Sequence, residues 1–471
     1  MPQTTAGTTL ARWLPYLPLA VLLAILTVAT LPTGGIQQAL DAGRSVPKSA
    51  DFPHYFLAAA AILNQTNIYQ SWEGGYVYPP LLAAALTPLV PLGIDLAAFI
   101  WWLFVFGLLL CLAYRCLSHL ARTFNFPITR PQAAVAAAIP TAVLFDPIRT
   151  FLHLGQTDSL ILLGVALPLI YLTTPSQSSR ILLPAFALAL SVHIKFFTLA
   201  LVLLYTLHRQ LRFIAVTLLF VVLLALLPAL LLGWQTNLDY LHASSARLLH
   251  IFGLPAPAYG LFNPHPLGWE RSRSILSGLA RITTATGLPA YTPYLAATLL
   301  LTLLTLFIAR IYRLKGYPLR ARFTQSASLA TARVYVLDWT LFLSTLLAFS
   351  PQLPKRYLVA LLPAFLLASL LILQPTTPTN HRNLLTAALA IVFVACLLPT
   401  SSTLAFHSPQ AVWNSAGTVG LLGWSLLAFA LTLLHTALPP SSASITSLPP
   451  AADQTPPSIA PTPHTAAKPI L

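Results

Sequence analysis

Apolar runs of about 20 residues recur from one end of this chain to the other, and they limit what it can fold into more than any other feature. The hydrocarbon core of a bilayer is about 30 Å thick and a helix rises about 1.5 Å per residue, so each run can cross once. The runs occupy 13–31, 94–116, 131–150, 157–175, 213–233, 291–312, 334–350, 357–374, 383–400 and 416–437. The stretch 181–208 exceeds one crossing and carries His193 and Lys195 at its centre. It reads as two helices or half-helices meeting at Lys195. The expected fold is an all-α polytopic membrane bundle of about twelve transmembrane segments. Composition agrees: 7% of residues are charged, against about 25% in soluble domains. Lipid must then be the solvent for most of the outside. The first run has the length and internal prolines of an anchor rather than a signal peptide. Cys111, Cys116 and Cys396 lie inside apolar runs and suggest packing, not a disulfide framework.

The net charge of +15 raises nucleic acid as a partner, but the basic residues are scattered through short loops without a basic stripe. Nucleic acid is therefore not an expected partner, and membrane orientation explains the charge. With Met1 in the cytoplasm, the cytoplasmic loops collect most of the lysines and arginines, including the cluster from Arg310 to Arg333. Asp41, Asp51, Glu73, Asp95, Asp146, Asp158, Asp239 and Glu270 fall at the outer side. Acids contribute little to topology, so their clustering invites a functional explanation. This orientation places a multi-pass protein in the plasma (inner) membrane, with its site facing the periplasm or exterior.

Residues 1–438 form the expected membrane domain, with outer loops 32–93 and 234–290 that are too long to be mere connections. The first loop has an amphipathic-looking run from Tyr55 to Ile68, followed by Tyr69, Trp72, Tyr76 and Tyr78. Aromatics at that density suit the lipid–water boundary. Residues 439–471 are rich in Pro, Ser, Thr and Ala and are expected to be a disordered cytoplasmic tail.

Two residues carry the strongest chemical signals. Asp51 precedes an apolar run, where it suits either a helix N-cap or a general base at the outer face. Lys195 lies inside an apolar stretch; an intramembrane ammonium is costly and marks a functional site unless it snorkels to the boundary. His193 alone suggests an interhelical hydrogen bond, but two residues from Lys195 it joins a candidate anion site. Asp146, Arg149, His153, Gln156 and Asp158 share one outer turn. Arg271, Arg273 and Arg281 lie in the second outer loop, and Lys355 and Arg356 directly precede a helix. Any one of these cations could be an interfacial anchor. Together they put positive charge from separate segments at one face beside a carboxylate, as a phosphate-bearing lipid would require. No metal-ligand spacing, phosphate-cradling glycine loop, dinucleotide fingerprint or nucleophile elbow is present, so neither a metal nor another cofactor is expected. A transporter or lipid-linked-sugar flippase would also place a lysine near a substrate path, but tends toward internal repeats and midplane sites. A non-catalytic assembly subunit would not need a carboxylate facing several cations.

In order and topology these segments resemble glycosyltransferase family 87. The resemblance rests first on Asp51-Phe52, Tyr55, Tyr69, Tyr78-Pro79-Pro80-Leu81 and Pro88. Gly155-Gln156-Thr157-Asp158 opens a helix, a small-residue helix ends at Lys195, and Ser350-Pro351 precedes Tyr357. Ser272-Arg273-Ser274 with Arg281 matches more weakly, and coverage runs from about residue 13 to 437. The resemblance implies a GT-C fold and an inverting transfer of a hexose, mannose by the family's habit, from a polyprenyl-phosphate-linked donor to a lipid or glycan acceptor. It maps the acceptor-activating aspartate onto Asp51 and the conserved membrane lysine onto Lys195. His193, Arg149, His153, Arg273 and Arg356 are candidate helpers at the donor phosphate. Tyr55, Tyr78, Gln156 and Asp158 are candidates to position substrate. The chain departs from the family pattern at Arg356, where histidine is frequent, and at Ser272-Arg273, where Asn-Gln is usual.

Overall fold

The computed structural model describes residues 13–43, 50–71, 76–174, 180–251, 267–317, 329–399, 415 and 417–438. The expected tail, 439–471, and Trp72 and Glu73 of the first loop lie outside the described residues. Helices dominate, and no strand occurs among the described residues. In chain order they begin with α1 (Leu17–Thr30), α2 (Ile36–Asp41), α3 (Phe52–Leu63), α4 (Leu81–Leu86), α5 (Ile94–Thr123) and α6 (Arg130–Val143). There follow α7 (Phe145–Leu154), α8 (Asp158–Leu172), α9 (Leu182–Ile194), α10 (Leu201–Leu207), α11 (Leu211–Leu226), α12 (Ala229–Leu232) and α13 (Trp234–Ile251). The chain continues through α14 (Ile275–Thr286), α15 (Thr292–Leu314), α16 (Leu329–Ala348), α17 (Leu362–Leu373), α18 (Thr379–Leu397) and α19 (Leu421–Ala437).

Among the described residues, five helical stretches are long and apolar enough to cross a membrane: α5, Leu211–Leu232, α15, Lys355–Leu373 and α18. The pair α6–α7 makes a sixth if counted as one span, although it is bent by 71°. The run 131–150, expected as one segment, therefore changes direction near Leu144. Pro147 accounts for the bend, because it has no N–H for the Val143 carbonyl and its ring crowds that turn. Other expected segments appear as shorter apolar helices, among them α8, α9, α19 and Phe196–Leu207.

Burial separates the helices by role. The apolar window of Lys355–Leu373 is 78% buried, whereas that of α15 is 6% buried and leaves its leucines facing outward. Helix α8 is buried along nearly its whole length, packed against α5, α9 and the 3-10 turn Lys355–Leu361. Its crossing with α9 is close enough to demand glycine. A Cβ on Gly164 would lie 2.2 Å from Ser191 Oγ and 2.9 Å from the Ala187 carbonyl oxygen.

The aromatics of the first long loop, expected at the lipid–water boundary, are packed inside the protein. Helix α3 buries Phe52, Tyr55, Phe56, Ala58, Ala59 and Ile62, and Tyr69, Tyr76 and Tyr78 are also buried. Their hydroxyls find protein partners, as buried phenols require. Tyr69 donates to the Tyr78 and Tyr240 carbonyls, each at 3.1 Å, and Tyr76 donates to the Pro79 carbonyl at 2.9 Å. The loop is thus a packed cap on the bundle, which gives Asp51 a fixed address.

Candidate active site

Asp51 occupies the N-cap position of α3, yet its side chain caps nothing. Its backbone N–H donates to the Leu154 carbonyl at the end of α7, at 2.9 Å. Its carboxylate Oδ2 instead accepts from Gln156 Nε2. The turn that aims Gln156 needs a left-handed residue, and Gly155 supplies it at φ +68°. Trp101 Nε1 donates to the Gly155 carbonyl at 2.8 Å and holds the turn in place. On the far side of the amide, Tyr78 donates to Gln156 Oε1 at 3.4 Å, and the Tyr55 and Tyr78 hydroxyls lie 3.3 Å apart. Asp51, Gln156, Tyr78 and Tyr55 therefore form one polar line through the cap.

Two residues beyond Gln156, Asp158 opens α8 with only 1% of its surface exposed. Lys195 Nζ lies 3.9 Å from Asp158 Oδ1, and Arg356 Nε lies 3.6 Å from Asp158 Oδ2. The expected break at Lys195 is present: α9 stops at Ile194, and Lys195 is extended at φ −145°, ψ 106° before the 3-10 turn Phe196–Ala200. The freed backbone groups are satisfied locally. Lys195 N–H donates to Ser191 at 2.8 Å, and the Thr198 hydroxyl donates to the Lys195 carbonyl at 3.0 Å. The ammonium is buried in protein. It donates to the Tyr357 hydroxyl at 3.0 Å and lies 4.2 Å from that ring's centroid. Phe197 stacks on the other partner of this contact, its ring centroid 5.4 Å from that of Tyr357. Gln156 and Asp158, two residues apart, join the two halves of the cluster.

The other expected phosphate helpers are placed differently. His193 Nε2 donates to the Val221 carbonyl on α11 at 2.9 Å, so its ring serves the α9–α11 contact. Arg149 is largely exposed and pairs with Asp146 at 2.9 Å; Lys355 takes the other Asp146 oxygen. His153 is half-buried in the last turn of α7, beside Leu154. Arg273 donates to the Ala395 and Cys396 carbonyls, at 3.2 and 2.8 Å, at the end of α18. Arg281 donates to the Thr418, Trp269 and Ser272 carbonyls, at 2.7, 2.8 and 3.0 Å. Burial holds the Arg281 guanidinium down to about 10, and burial also lowers Arg273, offset in part by Asp146. These arginines are occupied in fastening loops to helix ends. Of the cations counted from sequence, Lys195 and Arg356 are the two that meet Asp158.

Two neighbours escaped the sequence reading. Tyr357 was visible as a motif residue after Ser350-Pro351 but carried no role, because its contact with Lys195 spans 162 positions. His54 follows Asp51 by three residues, a helical spacing that could have flagged it. Burial lowers the His54 pKa, and the nearby Asp51 charge offsets part of that shift. Among the described residues, no group of three or more His, Cys, Asp or Glu side chains is arranged to hold a metal ion.

Residues 76–337 match glycosyltransferase family 87, which is more than half of the chain. The chain belongs to that family. The matched span includes Tyr78, Gln156, Asp158 and Lys195, and it leaves Asp51 and Arg356 outside its bounds. No curated protein and no solved structure matches the chain. This family 87 member is thus a membrane-embedded glycosyltransferase that takes a sugar from a donor and delivers it to an acceptor, rather than a transporter or an assembly subunit.

Proposed function

We propose that this enzyme transfers a hexose, with mannose the first candidate, from a polyprenyl-phosphate donor to a lipid or glycan acceptor, with inversion at the anomeric carbon. The observation that carries the proposal is the convergence of Asp51, Gln156, Asp158, Lys195 and Arg356, from four distant stretches of sequence, in one cluster. Asp51 is the general base. Gln156 holds Oδ2, which leaves Oδ1 for the acceptor hydroxyl. As that oxygen attacks the anomeric carbon, its proton passes to Asp51. The bond from the anomeric carbon to the donor phosphate breaks, and the phosphate leaves with the electron pair. Lys195 and Arg356 stabilise the charge that grows on the phosphate, with Lys195 held in place by Tyr357. Fixed cations can fulfil the role that a metal plays at other phosphates.

The same reading places the bundle in the plasma membrane with about twelve segments of GT-C type and the site toward the periplasm or exterior. The broken helix at Lys195 gives the donor's phosphate a polar seat at membrane depth while its prenyl tail stays in lipid. Incorporation of radiolabelled hexose from synthetic polyprenyl-phosphate donors into membranes, with and without this protein, tests the proposal. Label that appears only with the protein, and not from nucleotide sugars, is the expected result. Transfer from nucleotide sugars alone would overturn it.

A further inference from the structure

Asp158 is buried beyond what its two ion pairs explain. Lys195 and Arg356 stand at 3.9 and 3.6 Å, too far to hydrogen-bond, so they neutralise the carboxylate without occupying its lone pairs. Among the described residues, neither Asp158 oxygen has a hydrogen-bond partner. The same is true of the flanking Thr157 Oγ1 and Ser159 Oγ, both on residues with no exposed surface, and of Arg356 Nε. Thr157 makes no side-chain cap on α8 either, which leaves the first backbone N–H groups of that helix without such a partner. Native proteins leave few buried polar atoms unsatisfied, and here several fall on three consecutive residues and the cation facing them.

The mixture of chemistries identifies what would satisfy them. An anion such as phosphate can accept from Arg356 but is repelled by Asp158, which is acceptor-only when ionised. A neutral polyol serves both, since each hydroxyl donates to one neighbour and accepts from another. We propose that Asp158, flanked by Thr157 and Ser159, is the subsite for the hydroxyl groups of the donor's sugar ring. Lys195, held by Tyr357, and the remaining N–H groups of Arg356 are then left to the phosphate end. This rests on the lipid-phosphate donor reading above and deepens it. In that reading Asp158 selects the sugar, and its charge is held in place by the two cations that face it.

Binding of three probes to purified wild type and Asp158→Asn separates these roles: farnesyl phosphate and its mannosyl and glucosyl phosphodiesters. Wild type should prefer at least one glycosyl probe over farnesyl phosphate. In Asp158→Asn that preference should fall by about tenfold to a hundredfold, the scale of hydrogen bonds to a charged group, while farnesyl phosphate binds as well or better. Thr157→Val and Ser159→Ala should each reduce the preference by a smaller factor, and they keep the test open if Asp158→Asn does not fold. An undiminished sugar preference in the variants, or equal tightening of all three probes in Asp158→Asn, would overturn the subsite. Farnesyl phosphate binding to wild type without any sugar preference would also remove it, and would leave the phosphate site standing. Failure of all three probes to bind wild type would reject the donor class itself.

Discussion

Among the described residues two carboxylates are buried between helices, and they are treated in opposite ways. Asp338 on α16 has both oxygens engaged: Tyr312 of α15 donates to Oδ1 at 2.5 Å, and His208 Nε2 lies 3.3 Å from Oδ2. The Tyr335 ring packs on His208, with centroids 4.3 Å apart. Asp158 has two cations close enough to balance its charge and no donor on either oxygen. The Tyr205 and Tyr335 hydroxyls near Asp338 are unpartnered too, so the contrast lies at the carboxylates and not in the polarity of their surroundings. The turn Phe196–Ala200 and helix α10 separate Lys195 from His208, which puts the clusters roughly 20 Å apart along the axis. A satisfied carboxylate ties an otherwise outward-facing helix to the bundle. An unsatisfied one, neutralised at a distance, is prepared to receive something.

The sharpest way to break this comparison is to remove the base beside the open cluster. Asp51→Asn should insert and fold normally but lower transfer at least about a hundredfold. Asp41→Asn, an exposed carboxylate of the same loop, should have little effect. Gln156→Leu, which keeps Asp51 but removes the donor to its Oδ2, should cost about tenfold in kcat with donor affinity nearly unchanged. A fully active Asp51→Asn protein, or equal losses at Asp41 and Asp51, would remove the general-base role.

The two clusters themselves should respond in opposite currencies. Lys195→Met keeps the aliphatic stem and should weaken donor affinity by about tenfold to a hundredfold with little change in Tm. Lys195→Arg should recover part of the loss, because a planar guanidinium is longer and differently shaped. Asp338→Asn should instead destabilise by about 1–3 kcal/mol, since Tyr312 and His208 lose a charged acceptor, while donor affinity per folded molecule is unchanged. Donor titrations and thermal unfolding of the three variants decide the matter. Wild-type donor affinity in Lys195→Met would return that lysine to a structural role.

The smallest effect expected on activity comes from mapping the faces. In a Cys111→Ser background, Glu270→Cys and Arg313→Cys should both transfer sugar normally, since both positions are exposed and distant from the cluster in sequence. An impermeant thiol reagent on intact cells should label the first and not the second. The reverse pattern would turn the Asp51 side toward the cytoplasm, where nucleotide sugars are available as donors.

How much could be read in advance depends on the range of the interactions. The apolar runs, the break at Lys195 and the caplike position of Asp51 follow from local chemistry, because hydropathy, a charge inside an apolar stretch and an aspartate before a helix are properties of neighbouring residues. The bend at Leu144 was readable too, had Pro147 been weighed against the length of the run. The fate of the arginines was not. Arg273 and Arg281 look on paper like ligands for a phosphate, and each is tied to a carbonyl more than 100 positions away, Arg281 to two nearer ones as well. The tyrosines of the first loop look interfacial, and they are buried against Tyr240 and one another.

Sequence alone therefore determined that this is a helical membrane protein, where its chain must interrupt a helix, and which acid and which lysine are costly enough to need a purpose. Tertiary structure alone decided which cations remain available to a ligand. A guanidinium has the same charge wherever it stands, but its availability depends on whether folding brings it a backbone carbonyl or a carboxylate. Asp158 shows this most clearly: its composition and position were visible from the start. Only the packing of α8 against α9 and the Lys355–Leu361 turn set Lys195 and Arg356 near enough to hold its charge and too far to satisfy its oxygens.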